Sequence, residues 1–351
     1  MKYLFADHPA LCFVDGRDWI TRSGPDVLSF IGENYINPTN AWLIKQGIVF
    51  LQMRCFTNII QASMRNLIAF VLLLLCGAVQ AQTGGKVFDC RTLKSEILNE
   101  DRKYAIYLPP GYDTSERSYP VLYLLHPAGP KETLPNQQGW VNYGMLKSFM
   151  DQAIESGKVA PMIVVTPDAN FGTRRISYFN DPDNSFRFED YFFEEFIPYI
   201  EKTYRCRTEK GSRAIAGASM GGGAAFFYAL HHPELFAVSC PLSASVREYD
   251  KAYLAQRYPD IKENELIAWY KPYNVYDLFK QLPDDQKTAV AWFIACGDDD
   301  ALSPNNALLH VELKKSGIPH EFRMGNGKHD WQYWRSVFPD VLLYVSSVFL
   351  K

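Results

Sequence analysis

The sequence has no surplus of positive charge, no long apolar run and few cysteines. Lys and Arg number 36 against 39 Asp and Glu, for a formal net charge of -3. That balance does not suggest nucleic acid or an anionic membrane surface as a partner. No apolar stretch approaches the roughly 20 residues needed to cross a bilayer as a helix. Seven cysteines in 351 residues, none at the spacing of a zinc site, leave no metal centre to expect and point to no cofactor. Internal repeats and low-complexity tracts are absent as well. What remains is an ordinary globular composition, 47% hydrophobic and 21% charged, long enough to bury one sizeable core. Aromatic residues, at 15%, are abundant, as a large core or a ring-lined cleft would require.

The longest apolar run has a meaning of its own. From Met64 the chain reads Met-Arg, then apolar residues from Leu67 to Leu75, then Val79-Gln80-Ala81 before Gln82. A basic start, a short apolar centre and a small-residue end are the layout of a secretory signal peptide. The expectation is therefore that Met64 is the true start, with residues 1–63 an upstream mistranslated extension and 64–81 the signal. Residues 82–351 would be one exported domain, periplasmic or secreted, without a membrane span. Four cysteines fall in that part. Cys240 and Cys296 sit in strand-like runs and read as buried thiols; export permits a Cys90–Cys206 bridge.

Along residues 82–351, strand-like and helix-like segments alternate. Strands are expected near 102–112, 120–126, 161–168, 212–217, 236–243 and 289–297, and helices over 144–158, 188–204, the stretch after Ser219 and 337–350. Such alternation predicts an α/β fold with a mostly parallel central sheet and helices on both faces. Residues 245–286, polar and rich in Tyr and Asp, read as an insertion over the sheet's carboxyl edge, where ligands bind in such folds.

Chemistry concentrates at Gly217-Ala-Ser219-Met-Gly221. Placed between a strand and a helix, this is the context of a nucleophile elbow, in which a sharp turn lifts the serine hydroxyl clear of the sheet. A serine needs a base within hydrogen-bond reach, and seven histidines are present. His8 lies in the N-terminal extension. His126 ends a strand and reads as a loop organiser. His231 and His232 fall at a helix end, His310 in a helical run and His320 at a strand entry. His329, in a Gly-rich loop past a strand, is the best placed to swing over the elbow. For the third member, Asp298, Asp299 and Asp300 all follow the strand ending at Gly297, and chemistry alone does not choose among them. An oxyanion site needs two backbone N–H groups; one falls at Met220, the other in the loop 126–129. Trp331, Trp334 and Trp140, close to these motifs, are candidates to stack on substrate.

Leu108-Pro-Pro-Gly-Tyr112, the His126-Pro-Ala-Gly129 loop, Arg213–Gly222, Ala295-Cys-Gly-Asp-Asp-Asp300 and His329-Asp-Trp-x-x-Trp334 together resemble the bacterial "putative esterase" group of the α/β-hydrolase superfamily. The group holds feruloyl esterases and acetylxylan esterases of the first carbohydrate-esterase family, with esterase D more distant. The resemblance covers essentially residues 85–350. It implies Asp300 as the acid and Ala128 as the second oxyanion donor. The group usually has His-Gly-x-Gly where this chain has Pro127, which lacks an N–H; with Ala128 as donor the change is harmless. It also implies a serine esterase acting through an acyl-enzyme on feruloyl esters of plant cell-wall polysaccharide, with a small-molecule or oligosaccharide ester as partner. An acetyl(xylan) esterase, an acyltransferase and a silent glycan-binding module are the alternatives.

Overall fold

In the computed structural model the chain divides into two compact units, Met1–Ala81 and Gln82–Lys351. The structure describes residues 84–128, 136–171, 175–176, 178–246 and 251–350, together with 10–14, 18–22, 57, 60–61 and 63–66. The anticipated signal segment lies almost wholly outside the described residues, as does Gly129. In the first unit, Ala10–Val14 pairs antiparallel with Asp18–Arg22.

The second unit is built on an eight-stranded sheet. Its strands are β1 (Lys86–Ser95), β2 (Glu100–Leu108), β3 (Val121–Leu125), β4 (Ile163–Pro167), β5 (Arg213–Ala218), β6 (Val238–Leu242), β7 (Ala291–Gly297) and β8 (Glu321–Gly325). The spatial order is β8-β7-β6-β5-β3-β4-β2-β1. Pairing is parallel from β8 to β4 and antiparallel at β4–β2 and β2–β1. This is the mostly parallel sheet that the alternation predicted, and it fits the α/β-hydrolase class that the resemblance implies. β1 escapes the sequence reading because it is an edge strand, mostly exposed and polar, with a register shift between Phe88 and Arg91.

The continuously apolar central strands are buried on both faces, which is why they show no alternation. In β3, Val121, Tyr123 and Leu125 enter one core while Leu122 and Leu124 enter the other. The Leu122 side is covered by α1 (Leu146–Glu155) and by α8 (Trp331–Phe349). The Tyr123 side is covered by α2 (Ile197–Thr203), α3 (Met220–His231), α6 (Val275–Gln281) and α7 (Ser303–Lys315). Two short helices, α4 (Lys251–Arg257) and α5 (Glu263–Tyr270), share a small core of Leu254, Tyr258 and Leu266.

Two helix expectations need correction. The segment 188–204 is not one α-helix: a π-helical stretch, Tyr191–Phe196, precedes α2. Pro198 lies in the first turn of α2, and its missing N–H removes the α-type bond to Glu194. The last helix begins at Trp331 rather than 337. The Asp330 carboxylate accepts the Tyr333 N–H at 2.9 Å and caps it, and Pro339 lies inside the helix. Cys240 and Cys296 are buried free thiols, as expected; Cys90 and Cys206 are also free, so no bridge joins them. Burial pushes the Cys206 thiol up to about 12, far from a reactive thiolate.

Candidate active site

Ser219 sits between β5 and α3 with φ 55° and ψ -115°. A non-glycine residue there carries strain of about 1–3 kcal/mol. Three backbone hydrogen bonds hold the turn. Ser219 N–H donates to Leu242 O at 2.9 Å, and the Ser219 carbonyl accepts from Gly223 N–H at 3.0 Å and Ser245 N–H at 2.9 Å. Only glycine allows the close approach that follows. A Cβ on Gly221 would stand 2.6 Å from Leu125 O, so the helix can begin only if that position carries no side chain.

His329 lies between β8 and α8. Its Nε2 is 2.8 Å from Ser219 Oγ, and its Nδ1 is 2.8 Å from Asp300 Oδ2 and 3.0 Å from Oδ1. A carboxylate only accepts, so Nδ1 carries the proton and Nε2 is left to accept from the serine hydroxyl. The Asp300 side chain is fully buried, while that of His329 is one-third exposed. Asp300 also accepts the Leu302 N–H at 2.8 Å. Its two neighbours are occupied otherwise. Asp298 Oδ1 accepts from Gly327 N–H and Asp299 N–H, each at 3.0 Å, and Asp299 is exposed. The structure thus brings Ser219, His329 and Asp300 into one hydrogen-bonded line and leaves the other two carboxylates outside it.

Met220 is the first residue of α3, so its N–H has no acceptor within the helix. Ala128 is exposed in the loop after β3. That loop is pinned by buried His126. Its Nε2 accepts the Ala169 N–H at 2.9 Å, so its Nδ1 bears the proton and donates to Pro127 O at 2.8 Å. Burial lowers the His126 pKa and keeps the ring neutral. Pro127 therefore contributes a carbonyl to the loop's framework.

Two of the three tryptophans are not where a stacking role requires them. Trp140 is fully buried, its indole N–H donating to Leu125 O at 3.0 Å, and Trp334 is 4% exposed. Both belong to the core under α8, so neither offers a ring face to a ligand. Trp331 alone of the three keeps partial exposure; it packs beside Tyr143, ring centroids 5.8 Å apart.

Asn306, missed in the sequence, links the site to α7. Fully buried, its side chain takes the Ala244 N–H at 3.1 Å and donates to Ala244 O at 3.0 Å and Leu302 O at 2.9 Å. It anchors the loop whose next amide, Ser245, bonds Ser219 O. An amide in the first turn of a helix that faces the core was the only available signal.

Comparisons with known proteins bear on the family and the fold. The family model described as "Putative esterase" matches residues 95–345. An endo-1,4-beta-xylanase/feruloyl esterase of Xylanibacter ruminicola is 30% identical over 255 residues, 70% of this chain. The chain spans only 29% of that protein's length. A solved ferulic acid esterase is 35% identical, covers 76% of this chain and 99% of its own, and superposes with a TM-score of 0.66. The feruloyl esterase module from Clostridium thermocellum, complexed with sinapinate, is 23% identical over 75% of this chain and 88% of its own, with a TM-score of 0.56; it speaks for the fold alone.

Proposed function

The chain belongs to the "Putative esterase" family and is a carboxylic ester hydrolase of the α/β-hydrolase type, and from that premise we propose that Ser219, His329 and Asp300 form its catalytic triad. What supports the reading is the unbroken line Ser219 Oγ–His329 Nε2 and His329 Nδ1–Asp300 Oδ2, 2.8 Å at each link. His329 takes the serine proton as Oγ attacks the ester carbonyl. Asp300 holds the imidazole in the required tautomer and stabilises its charged form. The N–H groups of Met220 and Ala128 receive the oxyanion. His329 returns the proton to the departing alcohol, and water, activated by the same base, hydrolyses the acyl-enzyme. Loss of one oxyanion donor typically costs about 100–1000-fold in rate.

The substrate proposed is a feruloyl ester of plant cell-wall polysaccharide, with an acetyl(xylan) ester as the second reading. The feruloyl assignment leans on the 35%-identical ferulic acid esterase that this chain spans almost completely. Trp331, partly exposed two residues beyond His329, is the ring proposed to meet the acyl or sugar face. Export through residues 64–81 would suit a polymeric substrate, and residues 82–351 would then be the working domain. Specificity constants on methyl ferulate and on acetylated xylan decide the acyl group. A clear preference for acetate overturns the feruloyl assignment, and loss of both activities in Ser219→Ala is expected for either.

A further inference from the structure

Two in-plane hydrogen bonds, to Ser219 and to Asp300, fix where the nitrogens of His329 point, but they leave the ring free to roll about the line joining them. Something must set that angle. With one-third of the side chain open to solvent, the wall has to come from the protein side. Trp334 is that wall: its ring stands perpendicular to the imidazole, at 86°, with centroids 5.3 Å apart. Trp334 is itself fixed at its far end, where the indole N–H donates to Ser243 Oγ at 3.1 Å in a buried setting.

Ser243 occupies a conformation that a serine does not take without cost, φ 43°. It directly follows β6, and its N–H donates to Ala295 O on β7 at 2.7 Å. The residue before it, Leu242, is the acceptor for the Ser219 N–H. A closed circuit results: Ser219 to Leu242, Leu242 to Ser243, Ser243 to Trp334, Trp334 to His329, and His329 back to Ser219. Nucleophile and base are both referenced to the end of one strand.

We infer that Trp334 and Ser243 are positioning residues for the reaction, Trp334 setting the roll of the His329 ring and the Ser243 hydroxyl setting Trp334. This rests on the reading of His329 as the base. Small errors in such geometry are costly, since a displacement of about 1 Å can lower rates about 100-fold.

The test compares kcat and KM for p-nitrophenyl acetate in Trp334→Leu, Trp334→Phe and Ser243→Ala. Phe338→Leu serves as a packing control, because Phe338 lies in the same core against Trp140. Trp334→Leu should lose about 100-fold in kcat. Trp334→Phe, which restores a ring without the N–H, and Ser243→Ala should each lose about 5-fold, the worth of one hydrogen bond. KM should stay within about two-fold throughout, and inactivation by a fluorophosphonate should slow by the same factors as kcat. Phe338→Leu should lower the melting temperature and spare kcat. Wild-type kcat in folded Trp334→Leu, or a loss in Phe338→Leu matching its own, overturns the inference. Should Trp334→Leu not fold, unchanged kcat in both milder variants overturns it equally. Ser219→Ala and His329→Ala, run alongside, separate the two ideas: activity in either defeats the triad, whereas inactivity in both with unaltered Trp334 and Ser243 variants defeats only the positioning role.

Discussion

The loops that carry Asp300 and His329 are laced together by main-chain hydrogen bonds, whereas the segment of helices α4 and α5 bonds to Asn180 and Asp181 through side chains. Asp298 N–H donates to Gly325 O at 2.9 Å and Asp299 N–H to Gly327 O at 3.0 Å, so the two loops hold one another wherever their side chains point. In the helical segment, Tyr258 OH donates to Asp181 Oδ1 at 2.8 Å and the Trp269 indole to Asn180 O at 2.7 Å. His231 Nε2 meets Pro272 O at 2.6 Å just beyond α5. Backbone lacing costs no side-chain entropy and survives most substitutions. Side-chain latches are lost one at a time. The first arrangement holds its geometry against substitution, and the second can be loosened one contact at a time.

The sharpest way to break this comparison is at the laced side. Ser219→Ala should lower turnover of a p-nitrophenyl ester by about 10⁶-fold and Asp300→Asn by about 10⁴-fold, with fold and melting temperature kept. If Asp300→Asn turns over at the wild-type rate, the acid lies elsewhere. Next comes the anchor behind the elbow. Asn306→Ala strands the buried Ala244 N–H and carbonyl and should cost about 3 kcal/mol in urea denaturation; an unchanged midpoint would show that the loop holds itself.

On the latched side the effects should be smaller and local. Tyr258→Phe should cost about 1 kcal/mol and raise hydrogen exchange within residues 251–270, with kcat on a small acetyl ester unaltered. Global loosening, or a matching loss of kcat, would erase the distinction between the two regions.

His231 supplies a pH dependence. Its Nδ1 faces Glu189 Oε1 at 2.7 Å while Nε2 faces the Pro272 carbonyl. Both neighbours only accept, so both nitrogens carry protons and the ring is cationic. Burial opposes this charge, but the hydrogen bond and attraction of Glu189 outweigh it and hold the pKa above its ordinary value of 6.5. Because the folded value is the higher one, the latch's contribution is whole below about pH 6.5 and is lost as pH rises through the folded value. Melting temperatures of the wild type should therefore fall relative to His231→Gln on going from pH 6 into the alkaline range. Parallel curves would mean that the latch does not titrate.

Much of the site was legible in advance because its signals are local. Gly217-Ala-Ser-Met-Gly221 carries its own geometry: a sharp strand-to-helix turn permits little else. His329 stood out because the remaining histidines each had a structural place, as His126 has in its loop, although His231 turns to Glu189 and Pro272 instead of its own helix end. The sequence alone likewise determined the two-faced burial of the central strands, since an unbroken apolar run cannot turn one side to water. Choosing Asp300 over Asp298 and Asp299 by geometry needed the register of two neighbouring loops, which spends Asp298 on Gly327. Trp140 and Trp334 were misread for the same reason. A tryptophan's place in the chain does not say which face of a helix it occupies, and only packing against Leu125, Ser243 and His329 turned those rings inward. Composition, turns and periodicity act over a few residues and are written in the chain; the choice among equivalent side chains is made by contacts between segments a hundred residues apart, and only the tertiary fold makes it.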